Sequence, residues 1–166
     1  MTIQVLHGED KKSVLSLFRI VTKDLQGRGI RQWDRFYPNR WIIGSDIKRH
    51  NMFGIRMDGR VVAAVVVDAN QSDKYKSLAW SDRDGTPSCI HRLVVHPEYQ
   101  GRGLGKQLLQ YAEALAKQQG SSSIRLDVYK GNPSAVNMYS RANYKQVGEV
   151  KYPMREIPYL VMEKVL

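Results

Sequence analysis

The sequence predicts one α/β domain of the α+β kind over residues 1–166, and three observations carry that reading. Strand-like runs and amphipathic helical patterns follow one another in the order β, α, α, β, β, β, α, β, α, β, β. Two strand patterns, Met52 to Met57 and Arg60 to Asp68, are joined by Asp58-Gly59, the strongest short hairpin signal in the chain. Third, the run from Ile90 to Leu109 begins β-compatible, stops at Pro97, and passes through glycines 101, 103 and 105 into an amphipathic helix. A chain of 166 residues buries roughly two-thirds or more of its unfolded surface, so this domain needs no disulfide staples.

Each element has a local reason. Ile3 to Leu6 alternates as a first strand, and Glu9-Asp10 open a helix whose apolar positions are Val14, Leu15, Leu17, Phe18, Val21 and Leu25, ended by Gly27 and Gly29. The aromatic and basic stretch from Ile30 to Trp41 reads as a loop and short helix packed on the sheet, and Ile42, Ile43 and Ile47 predict a second helix. Val61 to Val67 is apolar throughout, as a central strand covered on both faces would be. Residues 69–88 turn polar and predict a long connection, either a lid or a mobile surface loop. Leu104, Leu108, Leu109, Ala112, Leu115 and Ala116 mark a helix ending near Gly120, and Ile124, Leu126 and Val128 a strand. Asn132-Pro133 is a helix start, followed by Ala135, Met138, Tyr139 and Ala142 at helical spacing; Tyr144 to Val150 and Tyr159 to Leu166 are the last strands.

Composition excludes several classes. Cys89 is the single cysteine, no Cys or His cluster has zinc spacing, and no stretch approaches the ~18 apolar residues of a membrane span. The N-terminal apolar run is too short for a signal peptide, so the expected location is the cytoplasm. The net charge of +10 favours anionic partners without choosing among them. Aromatics interleaved with arginines from Ile30 to Pro38 would suit nucleic acid, yet they suit a pocket wall better, and neither a nucleic-acid nor a membrane partner is expected. A homodimer through the C-terminal strands is compatible with the pattern.

The glycine run narrows the ligand. Glycines let backbone amides turn toward a ligand, and the first helical turn presents unpartnered N–H groups at a positive dipole end, which suits phosphate. A dinucleotide fingerprint starting at Gly101 would need Gly or Ala where Lys106 stands. A Walker A loop ending at Gly105-Lys106 would need Gly at 100 and Ser or Thr at 107, where the chain has Gln100 and Gln107.

The run Gln100-Gly-Arg-Gly-Leu-Gly105 instead resembles the Gln/Arg-x-x-Gly-x-Gly/Ala loop of the GCN5-related N-acetyltransferases, and Asn132-Pro-x-Ala-x-x-x-Tyr139 resembles that family's second motif. The resemblance runs along nearly the whole chain. It implies a mixed, mostly antiparallel sheet with a splayed central parallel strand pair, helices on both faces, and acetyl-CoA as co-substrate with no metal. It assigns Leu93, Val94 and Val95 to backbone pairing with pantetheine and the Val95 amide to the thioester carbonyl. Gln100, Gly101, Arg102, Gly103, Leu104, Gly105 and Lys106 would hold the pyrophosphate, Asn132 and Ala135 the pantetheine and adenine side, and Tyr139 would be the general acid and a cofactor contact.

The chemistry agrees with those residue types. Acetyl transfer develops an oxyanion, which a preorganised backbone N–H stabilises by about 3 kcal/mol in comparable sites. The departing thiolate is about as acidic as cysteine, near 8.5, and a tyrosine near 10 can protonate it with little mismatch. His91, Glu98, Asp127, His50 and Asp46 are all candidates for the base, with His91 nominated because histidine titrates near neutrality. A half-buried structural role for His91 is the competing reading, while His96 reads as a loop or surface residue and Cys89 as a buried one. The resemblance places the acceptor near the first helices, with Trp33, Asp34 and Tyr37 as its contacts and Asp34 and Asp46 as anchors for a cationic amine. The expected activity is acetyl transfer to a primary amine of a small-molecule or amino-acid-like acceptor; the alternatives are a protein N-terminus or lysine, and a non-catalytic acyl-CoA-binding module.

Overall fold

The computed structural model describes residues 1–166. Its elements are β1 (Ile3–Val5), α1 (Lys11–Gly27), α2 (Arg40–Lys48), β2 (Met52–Met57), β3 (Arg60–Asp68), β4 (Pro87–Val95), α3 (Leu104–Gln118), β5 (Ser123–Tyr129), α4 (Pro133–Arg141), β6 (Lys145–Val150) and β7 (Tyr159–Val165). The order is the one read from the sequence. Strand hydrogen bonding follows β1-β2-β3-β4-β5-β7-β6. The sheet is mixed: β1, β2 and β3 pair antiparallel, β4 and β5 parallel, and β5, β7 and β6 antiparallel. No helix is long and apolar enough to cross a membrane. The chain forms two compact units, 1–67 with 92–112 and 68–91 with 113–166, whose boundary passes through β4 and α3.

In the first unit the β2–β3 hairpin turns on Asp58 and Gly59 with φ of 50° and 75°, the two positive angles that a tight hairpin turn of right-handed twist requires. At Gly54 a Cβ would stand 2.7 Å from the Ala63 carbonyl oxygen and 2.8 Å from Leu6, so the close strand approach demands glycine. The α1 stripe of Val14, Leu17, Phe18, Val21 and Leu25 packs in a core with Leu6, Ile43, Ile47, Met52, Ala64 and Val66. Helix α2 starts at Arg40, two residues before the expected apolar run, because the Asn39 side chain accepts the Trp41 and Ile42 amides and caps it.

The loop before α2 differs from expectation. Trp33 is in the core against Phe18, but Phe36 and Trp41 are 67% and 69% exposed, with the Arg35 and Arg40 guanidinium groups 4.7 and 4.4 Å from their ring centres. Those two aromatics therefore do not pack on the sheet; cation–π contact shields each in place of core burial.

In the second unit, β5 and β7 pair over seven residues, from Ser123↔Val165 to Tyr129↔Tyr159. The polar connection 69–86 is pinned down. Tyr75 and Trp80 are buried with Cys89, Val150 and Val161, Trp80 Nε1 donates to the Tyr75 carbonyl at 2.8 Å, and Arg125 lies 3.9 Å over the Trp80 ring. The Ser81 and Asp82 amides donate to Glu163, and Ser123 Oγ to Asp82 at 2.7 Å. Strand β4 begins at Pro87, three residues before the β-compatible run, since Pro87, Ser88 and Cys89 pair with Ser123, Ile124 and Arg125. Tertiary pairing recruits residues without a strand signature of their own.

Two carboxylates of the first unit are paired with arginines. Asp10 accepts from Arg56 Nε and Nη2 at 2.9 and 2.6 Å and from the His7 amide at 2.8 Å. The Arg56 hydrogen bonds keep the Asp10 carboxyl below the usual carboxylate range, against a smaller opposing effect of burial. A depressed folded pKa contributes stability above the unfolded value of about 4, and that stability is lost as pH falls through the folded pKa. The stability gap between wild type and Asp10→Asn in urea titrations should therefore be full at neutral pH and shrink as pH drops below about 4. Asp46, by contrast, is paired with Arg92 with both side chains only 11% exposed. Asp46→Ala should cost about 3 kcal/mol in the same measurement, because it strands a buried guanidinium.

Candidate active site

The glycine turn is built from the end of β4. The His96 amide donates to the Val62 carbonyl at 2.8 Å, and Pro97–Tyr99 form a single 3-10 turn that His96 Nδ1 caps by accepting the Glu98 amide. His96 is thus no surface residue: it is 7% exposed, edge-on to Tyr99. Arg102 Nη2 donates to the Glu98 carbonyl and its guanidinium sits 4.9 Å from the Tyr99 ring centre, while Gln100 Nε2 donates to the Val95 carbonyl. Gly101 and Gly103 have φ of 75° and 79°, and a Cβ at either would meet nothing within 4 Å. Backbone conformation rather than crowding requires glycine there, and it leaves the approach to the turn clear. Leu104 is buried under α3 while Gly101, Arg102, Gly103 and Lys106 are exposed. The first-turn amides of a 15-residue helix and two cationic side chains therefore stand together at one exposed turn, an arrangement that fits a pyrophosphate.

Strand β4 carries a break in its alternation. Arg92 has φ of 49°, left-handed for a non-glycine residue, so strict alternation of side chains along β4 does not hold past His91. Its guanidinium is clamped: Nε and Nη2 donate to the two Asp46 oxygens at 2.9 and 2.8 Å, and Nη1 to the Tyr37 hydroxyl at 3.1 Å. Beyond the break Val94 is buried while Leu93 and Val95 are half-buried. Asp46 is consequently the partner of Arg92, and not an anchor for an amine.

In the second unit the parallel ladder ends at Cys89↔Arg125, and neither Ile90 nor His91 has a β5 partner. His91 is half-buried, with Nε2 at 2.8 Å from Asp68 Oδ1. A carboxylate only accepts, so Nε2 carries the proton and Nδ1 is left as the acceptor nitrogen of the neutral ring. Cys89 is fully buried, and burial followed by the Asp68 charge pushes its thiol up to about 12, which makes it inert.

Tyr139 lies on α4 and is 7% exposed, its ring edge-on to Tyr144. Burial, and then the charge of Asp127, pushes its phenol well above the usual tyrosine range, so the hydroxyl holds its proton at neutral pH. Asn132 caps α4 by accepting the Ala135 amide at 3.2 Å. Asp127 Oδ2 accepts from Tyr75 and Tyr152 hydroxyls at 2.8 and 2.7 Å.

Of the acceptor contacts expected from the sequence, Trp33 is a core residue, Asp34 Oδ1 accepts the Phe36 and Tyr37 amides and braces its own loop, and Tyr37 reaches Arg92. Three residues of these clusters were not found from sequence. Asp68 looks like an ordinary charged strand end, Arg92 shows no signal of a left-handed backbone, and Tyr152 sits in a stretch without periodicity.

Comparison with known proteins agrees with this geometry. The acetyltransferase (GNAT) family pattern matches residues 16–144. A Bacillus subtilis protein named as the uncharacterized N-acetyltransferase YesJ is 30% identical over 144 residues, covering 84% of this chain and 79% of its own. The Methanocaldococcus jannaschii N-acetyltransferase MJ1207, likewise named as uncharacterized, is 26% identical over 127 residues, which are 76% of this chain and about half, 52%, of its own length. Among solved structures, a GNAT-family acetyltransferase from Streptococcus agalactiae superimposes with a TM-score of 0.84 at 20% identity, covering 99% of this chain and 95% of its own. The PaiA N-acetyltransferase of Thermoplasma acidophilum, solved with coenzyme A, gives 0.75 at 20% identity, covering 99% and 98%. The turn that opens α3, the short parallel ladder and the capped helix bearing Tyr139 thus accompany a family match over most of the chain, and the protein belongs to the GNAT family of acetyl-CoA-dependent N-acetyltransferases.

Proposed function

We propose that the chain transfers the acetyl group of acetyl-CoA directly to a primary amine of a small-molecule or amino-acid-like acceptor in the cytoplasm, with residues 1–166 working as one catalytic domain. The observation that carries the reading is the exposed turn Gln100–Lys106, whose left-handed Gly101 and Gly103 deliver the first-turn amides of α3 together with Arg102 and Lys106. These residues hold the pyrophosphate. The backbone of Leu93, Val94 and Val95 pairs with the pantetheine arm, and Asn132 and Ala135 flank the cofactor at the start of α4.

Bound acetyl-CoA supplies an activated acyl group as a thioester. The Val95 amide donates to the carbonyl oxygen as negative charge develops there. His91 accepts a proton from the acceptor ammonium at Nδ1, its ring held by Asp68 through Nε2. As the neutral amine attacks the carbonyl carbon and the C–S bond breaks, Tyr139, protonated at neutral pH, gives its hydroxyl proton to the departing sulfur and recovers one from the nitrogen of the amide that forms. Trp33 and Asp34 serve the acceptor by bracing the loop that presents Tyr37. A small acceptor suits the second unit, where the sheet face bearing Cys89 is covered by Tyr75, Trp80 and Tyr152.

Thiol release from acetyl-CoA across an amine panel tests the reading; tight CoA binding with no amine turned over would leave only an acyl-CoA-binding module. Tyr139→Phe should reduce kcat by about 10²-fold or more while CoA still binds, as removal of a general acid does. Gly103→Ala forces a Cβ onto a left-handed residue at a cost of about 1 kcal/mol and narrows the approach to the turn. It should raise the KM for acetyl-CoA by about tenfold and change kcat far less, read from saturation kinetics.

A further inference from the structure

Asp127 lies within β5, half-buried, on the face it shares with Arg125 two residues earlier. Arg125 is opposite Cys89 in the parallel ladder, so by alternation this is also the face of His91. The carboxylate is firmly placed: Oδ2 takes hydrogen bonds from Tyr75 on the covering segment and from Tyr152 after β6. Phenols orient a carboxylate but bring no charge, and Oδ1 receives no hydrogen bond from the protein.

Asp127 has neither a counter-ion nor the backbone amides that satisfy Glu163, and its two hydrogen-bond donors are phenols. Asp10, Asp46 and Glu113, in a chain with 26 basic and 16 acidic residues, are paired with Arg56, Arg92 and Lys164. The basic residue on the same face as Asp127 is engaged elsewhere, since Arg125 donates at 2.6 Å to Gln71 and at 2.6 Å to the Asp82 carbonyl while stacked on Trp80. Lys74 Nζ lies 5.9 Å from the centre of the Tyr152 ring and makes no ion pair with Asp127. Both donors belong to aromatic rings, Tyr75 tilted against Trp80 at 5.4 Å and Tyr152 edge-on to Tyr159 at 5.1 Å. A fixed carboxylate beside aromatic rings is the chemistry that receives an ammonium group.

We propose that Asp127, braced by Tyr75 and Tyr152, anchors a second cationic nitrogen of the acceptor, so that the preferred acceptor is a diamine. The proposal rests on the acetyl-transfer reading above and names its substrate class. The anchored nitrogen is not the one acetylated: a carboxylate stabilises the ammonium form, and the attacking nitrogen has to be neutral. One end of the diamine remains an ammonium on Asp127 while the other loses its proton and reacts.

The test compares 1,4-diaminobutane with butylamine as acceptors for the whole chain, following thiol release. Wild type should favour the diamine in kcat/KM by about tenfold or more, expressed in KM, the scale of a close charge pair. D127N should bring that ratio down toward one. Equal use of the two amines by wild type overturns the proposal without recourse to any variant. So does a D127N protein that keeps the wild-type ratio, including one that is slower with both amines alike. Should neither amine be acetylated, the transfer reading fails separately, and the same ratio is then read as equilibrium affinity of the CoA-loaded chain; equal affinities for the two amines in wild type overturn the anchor.

Discussion

The parallel ladder between β4 and β5 lasts only three residue pairs, and much of the structure follows from where it stops. A strand that leaves its neighbour must satisfy its backbone groups by other means and hold a direction that pairing no longer imposes. Three residues past the last pair, Arg92 takes a left-handed conformation, and its guanidinium is locked by both oxygens of Asp46 and by Tyr37. A strained backbone and a buried cation are each unfavourable alone. Together with a bidentate carboxylate they make a rigid corner, and the rest of β4 leads from it to the glycine turn.

That turn inherits its rigidity from the same strand. The His96 amide is tied to β3 through Val62, its ring caps the 3-10 turn at Pro97–Tyr99, and Arg102 folds back on Tyr99 and the Glu98 carbonyl. The two positive-φ glycines are hinged to a fixed support on one side and to α3 on the other. Preorganised amides lose less entropy on binding an anion than amides of a mobile loop, which is why the local scaffolding matters to a ligand it does not touch.

Carboxylates in this chain divide by what satisfies them. Asp34 and Asp82 accept backbone amides or serine hydroxyls, and Asp10 and Asp46 have arginines, so all four are scaffold. Asp68 has a histidine, which it orients, and Asp127 has two phenols and no cation. The connection 69–86, polar enough to look mobile, supplies one of those phenols and is held by the buried Tyr75 and Trp80.

Features governed by neighbours in the chain were legible in the sequence. The Asp58-Gly59 hairpin, the Asn132 cap, the glycine turn and the α1 and α3 stripes all depend on local backbone sterics, capping and helical or strand period, which operate over a few residues. The order of the elements, and through the two motifs the family, came from the same local signals. What only the tertiary structure decided involves partners far apart in sequence. Tyr75 and Tyr152 are 52 and 25 positions from Asp127, Arg92 is 46 from Asp46, and Pro87–Cys89 become a strand only because β5 lies alongside. A side chain's burial, its counter-ion and its proton are set by whatever the fold brings within a few ångströms, and residue type and spacing along the chain carry no record of that.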